Sequence, residues 1–440
     1  MPTESLPAFD ELRDALRVPG RAYETVASLT DEVGPRFPGS PGEVAGEQWA
    51  SRAMEQCGLS NVRLEKVPAT LWRRGAESGE IVLAHRRPVV LSALGGSVAT
   101  PAGGIVAPVI EVPSIEALEK LGRADVEGKI VFIDHAMPRR RDGTGYNAGS
   151  VVRMSGPSKA ARLGAVACLV RSVGTDSARA AHTGALWYEP DVPQIPAAAL
   201  SIPDAGVLHR VIATNKDVRF SLNLDCAPLP VGESHNVMGE LRGTDLADEI
   251  VLIASHLDSW DLGTGALDDG AGCAIALEVG RRIAALPTRP RRTVRVVLFA
   301  NEELGAGGGR SYATTHADEA PRHFAAMEAD QGDGRPWALR VPDAARANGS
   351  AERLSSALGP LGIALDPGPS RGGVDIGPLR QLGVPFVDLR QDATRYFDFH
   401  HTANDVLENV SADDIEATAR AFTMAVWVLA NMPESLRAGV

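Results

Sequence analysis

Cysteine is scarce in this sequence. The four cysteines among its 440 residues are scattered, form no CxxC pair and lack the Cys/His spacing of a structural zinc site. This excludes a disulfide framework and a cysteine-based zinc finger. We expect Cys57, Cys168, Cys226 and Cys273 to be mostly buried free thiols, which favours a reducing compartment.

Long apolar runs and a basic net charge are also absent. No uninterrupted apolar segment approaches the ~20 residues of a membrane span. Met1 to Asp14 lacks the basic and apolar regions of a secretory signal, which predicts a cytoplasmic protein, or a secreted one if a leader has been removed. The 44 Lys and Arg residues against 56 Asp and Glu give a net charge of −12, so neither nucleic acid nor a membrane is an expected partner.

The pattern of apolar runs predicts an α/β protein with a mostly parallel, helix-flanked sheet. Short continuous runs at 250–254, 294–300 and 324–329 are typical of strands buried on both faces. They alternate with helical segments, and a long helix is expected over 411–430. Such alternation favours parallel strands, because each helix then connects one strand to the next.

A change in the pattern of apolar runs predicts an inserted domain. Between residues 96 and 224 the chain reads as short β-like runs separated by turns, with one clear helix near 158–163. We therefore predict a discontinuous main domain of residues 1–95 and 225–440, interrupted by a β-rich domain of residues 96–224.

Candidate metal-binding residues follow the buried runs of the main domain. In an open α/β sheet, ligands bind just beyond the carboxyl ends of the strands. The residues found at such positions, or in loops beside them, are His256, Asp268, Glu302, Glu303, Asp330 and His401.

These residue types match what a hydrolytic site with two metal ions requires. Such a site needs a carboxylate shared between the ions, further His and Asp/Glu ligands on each, and one carboxylate left free as a base. Adjacent Glu302 and Glu303 can divide the last two roles, because a loop points successive side chains in different directions. Asp258 lies two residues from His256, so we expect its carboxylate to accept the second imidazole N–H and fix the tautomer.

Each candidate also has a plain structural interpretation. A lone buried histidine is more often structural than a ligand, and adjacent acidic residues usually lie on a solvated helix face. Their joint placement favours the metal site, because carboxylates directly after buried strands repel one another unless a cation neutralises them.

The amino-acid sequences of these clusters resemble the motifs of the co-catalytic zinc aminopeptidase and carboxypeptidase family. The resemblance covers roughly residues 22 to 430. Its motifs are Ser255-His256-Leu257-Asp258-Ser259-Trp260-Asp261, Gly265-Ala266-Leu267-Asp268-Asp269-Gly270, Glu302-Glu303, Met327-Glu328-Ala329-Asp330 and Tyr396-Phe397-Asp398-Phe399-His400-His401-Thr402. Within 96–224, Gly128-Lys129-Ile130-Val131 and His182-Thr183-Gly184 make the insert similar to a protease-associated domain.

The resemblance implies a set of ligands for two zinc ions, for which cobalt or manganese can substitute. Asp268 would bridge the ions, His256 and Asp330 would complete one, and Glu303 and His401 the other. His401 is preferred to His400 because of its spacing to Asp405.

The resemblance also implies the remaining roles. Glu302 would be the general base of a metal-assisted peptide hydrolysis, with Asp258 supporting the site. Tyr396, Asp375 and Arg371 are weaker candidates for contact with substrate. The family's fold is the zinc exopeptidase α/β fold, and its members suggest a homodimer.

Peptide hydrolysis is the expected activity, on short peptides and especially dipeptides with unblocked ends. Three alternatives stay open. They are a broad-specificity aminopeptidase on the same site, an acyl transferase of the glutaminyl cyclase kind with a single zinc, and a non-catalytic binding protein on the same scaffold.

Overall fold

The chain folds into two compact units. A computed structural model describes residues 6–215 and 217–437. The first unit comprises the described residues up to Ala69, the segment Gly232–Tyr396 and the described residues from Val406 onward. The second comprises Thr70–Val231 and Phe397–Asp405.

A five-stranded sheet forms the centre of the first unit. Its strands, in spatial order, are Ser60–Ala69, Gly232–Leu241, Arg292–Phe299, Leu246–His256 and His323–Glu328. The last three are parallel to one another, as expected, and every residue of Arg292–Phe299 is buried. The α/β class predicted from the sequence is confirmed.

The sheet is more mixed than predicted, because its first two pairings are antiparallel. The cause is the insertion. The chain leaves the sheet at Ala69 and re-enters at Gly232, and these residues are direct partners in the register. A chain that departs and returns at neighbouring positions produces two strands of opposite direction.

Helices pack around this sheet. Ala271–Ala284 connects the two central parallel strands and packs against the C-terminal helix Ala412–Asn431, whose Ser411 cap accepts the N–H of Asp414. The remaining α-helices of the unit are Phe9–Ala15, Ala22–Glu32, Pro41–Gln56, Gly307–Thr315, Asp343–Ala347 and Ser350–Leu358. A small second sheet contains Ala364–Leu365, Pro336–Arg340 and Asp388–Gln391.

The second unit is built on an eight-stranded sheet. In spatial order its strands are Arg86–Val89, Glu77–Val82, Arg219–Leu224, Ile105–Val112, Ile130–Ile133, Ala167–Arg171, Ala197–Leu200 and Leu91–Ala93. Trp72–Arg73 and Ala227–Pro228 form a separate pair. Its helices are Ile115–Leu118, Arg123–Val126, Gly145–Arg162 and Ile202–Thr214.

The predicted boundary at residue 96 is too late. The strands Glu77–Val82 and Leu91–Ala93 pair with Arg219–Leu224 and Ala197–Leu200, so the residues from Thr70 onward share the sheet of the second unit. Apolar alternation predicts that a strand exists but not which strand it pairs with, so the sequence analysis placed these residues in the wrong domain.

One helix of this unit is longer than predicted. Gly145–Arg162 contains Gly149, Gly156 and Pro157, which disfavour a helix in isolation. Packing explains the glycines, because a Cβ at Gly149 would overlap the side chain of Val173 and one at Gly156 that of Ile133. Tertiary contact therefore overrides local propensity here.

Two expectations about the whole chain also have outcomes. All four cysteines are free thiols, and Cys168, Cys226 and Cys273 are buried, as predicted. Among the helices of residues 6–215 and 217–437, none has the length and apolar character needed to cross a bilayer.

Candidate metal centre

The parallel strands bring three predicted site segments to one edge of the sheet. His256 is the last residue of its strand and is in register with Phe299, after which the chain continues to Glu302 and Glu303. On the other side, Ala254 is in register with Glu328, two residues before Asp330. Parallel strands end at a common edge, so segments far apart in sequence lie side by side.

Three of the predicted ligands form a compact group within the first unit. His256 Nε2 lies 3.3 Å from Asp268 Oδ1 and 3.7 Å from Asp330 Oδ1. One ligand atom from each residue lies within 4.8 Å of the others, and His256 and Asp268 are buried. A tetrahedral zinc with bonds of about 2.0 Å separates its ligand atoms by about 3.3 Å, so this group fits that ion.

The ring of His256 is held by a main-chain group. Its Nδ1 donates to the carbonyl oxygen of Asp258 at 3.0 Å, whereas the carboxylate Oδ1 is 3.8 Å away. The expectation that the Asp258 carboxylate accepts this N–H is therefore wrong, although the residue is the correct one. Because a carbonyl can only accept, Nδ1 carries the proton and Nε2 is left for a metal.

The Asp258 carboxylate instead fixes the turn that carries the two glutamates. Its Oδ1 accepts the backbone N–H of Glu302 at 3.0 Å, and its Oδ2 accepts that of Glu303 at 3.2 Å. Asn301, just before them, has a positive φ of 55°. The main chain that carries the two acidic side chains is therefore anchored at two consecutive N–H groups.

Consecutive aspartates also divide their roles. Asp268 and Asp269 are joined by a cis peptide bond. The Asp268 side chain faces His256, whereas the Asp269 carboxylate accepts the N–H of His256 at 3.2 Å and of Gly272 at 3.0 Å. Sequence reasoning assigned no role to Asp269, although its position beside the predicted bridging ligand was an available signal.

Arg36 is a second residue that sequence reasoning left without a role. Its side chain is fully buried and donates to the carbonyl oxygens of Leu257 at 2.6 Å, Thr264 at 2.7 Å and Gly265 at 2.8 Å. These carbonyls belong to the loop between His256 and Asp268. The available signal was its place in Gly34-Pro35-Arg36, a segment whose Gly and Pro disfavour regular structure.

Burial and mutual repulsion dominate the electrostatics of the group. Desolvation, followed by neighbouring carboxylates, raises the pKa of Glu302 and of Glu303 well above the usual range. For His256, burial opposes protonation, but hydrogen bonds to Asp268 and Asp330 raise its pKa well above its usual range. Divalent cations relieve such repulsion and replace the proton on the imidazole.

The three weaker candidates have different surroundings. Tyr396 is buried and hydrogen-bonded to Asp268; burial and then the charge of Asp268 raise its pKa well above the usual range. Asp375 is 1% exposed. Arg371 is exposed, and its backbone N–H donates to Asp388 Oδ2 at 2.6 Å, so its main chain rather than its side chain is anchored.

His400 and His401 belong to the second unit, which was not predicted. Thr183 holds His401 from both sides, because its N–H donates to the His401 carbonyl at 3.0 Å and its own carbonyl lies 3.3 Å from His401 Nδ1. The two histidine rings stack with centroids 3.5 Å apart. His401 has a positive φ of 62°.

Comparisons with known proteins point to one family. A model of Peptidase family M28 matches residues 236–426. Carboxypeptidase Q from Mus musculus is 34% identical over 416 residues, covering 94% of this chain and 87% of the relative. Carboxypeptidase Q from Homo sapiens is 34% identical over 418 residues, covering 94% and 86%.

Solved structures agree. The crystal structure of a Peptidase M28 precursor from Shewanella amazonensis SB2B is 40% identical, with a TM-score of 0.94 and 97% of both chains covered. A zinc aminopeptidase from Bacillus subtilis is 20% identical with a TM-score of 0.66, covering 94% of this chain and 95% of the other, which indicates a shared fold. The resemblance drawn from the motifs, which are those of carboxypeptidase Q, is thereby confirmed.

Proposed function

Because this chain belongs to peptidase family M28, we propose that it is a di-zinc exopeptidase that hydrolyses short peptides with free ends, dipeptides above all. That it is a metallopeptidase follows from the family. The number of ions and the length of the substrate are the proposal. The buried group of His256, Asp268 and Asp330 is the observation that carries it.

The proposed ligands are those implied by the motifs. Asp268 would be shared between the two ions, His256 and Asp330 would hold one of them, and Glu303 and His401 would hold the other. The support is chemical. Imidazole and carboxylate groups are the ligands that zinc takes in hydrolytic sites. Several carboxylates are buried here, and cations would neutralise their charge.

Bound zinc supplies Lewis acidity towards the scissile carbonyl and makes water acidic enough to lose a proton near neutral pH. Glu302 then takes the proton from the attacking water and delivers it to the leaving amine. Asp258 keeps Glu302 at the required place through the backbone N–H that it accepts.

The names of the relatives support a dipeptide substrate. Matched proteins include carboxypeptidase Q and an aminopeptidase from Bacillus subtilis. A dipeptide has one peptide bond, which is both its first and its last. An enzyme that cleaves dipeptides is therefore both an aminopeptidase and a carboxypeptidase. A broad aminopeptidase remains the second candidate, because aminopeptidases are also among the structural neighbours.

A substrate panel and a metal analysis test the proposal together. We expect about two zinc ions per chain, loss of activity after chelation, and recovery with zinc, cobalt or manganese. Dipeptides should be cleaved faster than tripeptides, aminoacyl amides or N-blocked peptides. Equal rates on longer peptides would favour the broad aminopeptidase, ring closure of Gln-initiated peptides would favour the cyclase, and absence of metal would favour a binding protein.

Three further expectations belong to the same proposal. The insert is a protease-associated domain, the protein is a homodimer, and its compartment is the cytoplasm, or the outside of the cell if a leader has been removed. Sedimentation tests the second, and fractionation of the source cells tests the third.

A further inference from the structure

A buried carboxylate in the first unit has no hydrogen-bond partner. Asp375 is 1% exposed, and neither of its carboxylate oxygens has a donor within reach among the described residues. A buried acidic group in that condition is rare, because losing its hydration costs several kcal/mol unless a partner compensates. The side chain therefore calls for a ligand or a structural explanation.

The backbone of Asp375 is fixed on two sides. The carboxylate of Glu328 accepts the N–H of Asp375 at 3.3 Å and that of Ile376 at 2.8 Å. On the other side, the carbonyl of Asp375 packs so closely on Gly309 that a Cβ there would overlap it. The carboxylate is thus held in place before any ligand arrives, as recognition groups require.

Asp375 lies near Glu302, the proposed general base. After desolvation, the charges that most raise the pKa of Asp375 are those of Glu328 and Glu302. The neighbouring acids have their own partners: Asp258, Asp269 and Glu328 each accept two backbone N–H groups. Unlike those three acids, Asp375 accepts no hydrogen bond from the described residues, so a donor from outside the protein can take that place.

We propose that the carboxylate of Asp375 receives the free α-ammonium group of the peptide substrate. The inference rests on the proposed function and specifies it. The α-amine is one residue from the first peptide bond, so a receptor for it beside Glu302 selects cleavage of the N-terminal residue. A free amino terminus is then obligatory, and the bond that is cleaved is the one that follows the N-terminal residue.

Asp375→Asn tests the proposal, because the amide keeps the shape and loses the charge. With zinc-loaded full-length protein, kcat/KM is measured on an alanyl dipeptide and on its N-acetyl counterpart. Removing a charge-assisted hydrogen bond is expected to lower kcat/KM for the free dipeptide about 10- to 100-fold, mainly through KM. The acetylated dipeptide is expected to be a poor substrate of the wild type; its kcat/KM should change less than about threefold in the variant, and the zinc content should not change.

Asp388→Asn is the matched control. Asp388 accepts the backbone N–H groups of Arg371 and Gly372, so it supports the same loop but has its partners. Loss of this anchor should affect free and acetylated substrates in equal proportion. If Asp375→Asn behaves in the same way, Asp375 only supports the loop and the proposal is overturned.

A binding measurement separates this proposal from the proposed function. Calorimetry with L-leucinamide and N-acetyl-L-leucinamide needs no turnover. We expect wild-type protein to bind the free amine at least tenfold more tightly and Asp375→Asn to lose that preference. Equal binding of both amides by the wild type overturns the inference even if dipeptides are hydrolysed, whereas a preference without hydrolysis overturns only the proposed function.

Discussion

His182 donates through Nδ1 to the carbonyl oxygen of His400 at a distance of 2.7 Å. The other ring nitrogen of His182 lies 3.1 Å from Asp176 Oδ2, so the imidazole is held at both ends. The next residue, Thr183, holds His401 through two main-chain contacts. The His182-Thr183-Gly184 motif therefore fixes the segment that carries the proposed histidine ligand.

His182→Ala should loosen that ligand. We expect zinc content to fall from about two ions towards one, because the backbone that orients His401 loses its anchor at His400. His182→Gln, whose amide still donates, should recover part of the lost zinc. His209→Ala is the control, since His209 is an exposed histidine of the same unit paired with Glu111, and it should keep both ions. Two ions retained in His182→Ala would contradict the role.

Glu302 and Glu303 are expected to respond differently to the same substitution. Glu302→Gln should keep its zinc and lose about 10²- to 10⁴-fold in kcat, because it removes the proton acceptor without a ligand. Glu303→Gln should lose zinc as well as activity. Metal analysis beside the rate distinguishes them, and substantial turnover in Glu302→Gln would refute its assignment as the base.

Asp258→Asn should displace the turn that carries the two glutamates. An amide offers one oxygen acceptor where the carboxylate offers two, and its NH₂ group then opposes the N–H of Glu303. We expect a cost of about 1–3 kcal/mol, a Tm lower by a few degrees, and kcat reduced about 10- to 100-fold. Asp261→Asn, in the same motif, serves for comparison and should lower kcat much less. If kcat and Tm of Asp258→Asn equal those of the wild type, the hydrogen bonds from Glu302 and Glu303 to Asp258 have no role in the mechanism.

Glu43 predicts a dependence of stability on pH. Burial, together with the charges of Asp258 and Glu47, raises its pKa to about 7, although hydrogen bonds from Ser234 and Gly39 oppose the shift. An acid whose pKa is raised by folding does not destabilise the fold at a pH below the pKa that it has in the unfolded chain. It lowers the free energy of unfolding progressively as the pH rises from about 4.5 to about 7.

Glu43→Gln should therefore be more stable than wild type at pH 8, by at most about 3 kcal/mol, and equal to it at pH 4. Thermal unfolding of both proteins at the two pH values measures the difference. Glu32→Gln, on the exposed surface of the preceding helix, is the control and should show no such trend. A destabilised Glu43→Gln at pH 8 would mean that the ionised form is the one the fold prefers.

Much of the site was predictable because its signals are local. His256 and Asp330 follow apolar runs that form adjacent parallel strands, so their convergence was expected before any coordinates. The resemblance to the family added the identity of the ligands, and the comparisons confirm the family itself. The roles assigned to individual residues stay predictions.

The errors have a common cause. The strands Glu77–Val82 and Leu91–Ala93 were assigned to the wrong domain, because alternation does not specify a partner strand. The acceptor for His256 was assigned to the Asp258 side chain instead of its carbonyl, because spacing along a strand does not distinguish the two groups.

Taken by itself, the sequence determined that buried strands end in histidines and carboxylates, since hydrophobic periodicity and residue chemistry are properties of short segments. Tertiary structure alone decided that the Asp258 carboxylate binds the turn at Glu302, that His401 is held by Thr183, and that Asp375 is buried without a donor. Each of these depends on groups tens to hundreds of residues apart, whose distances are set only when the chain packs.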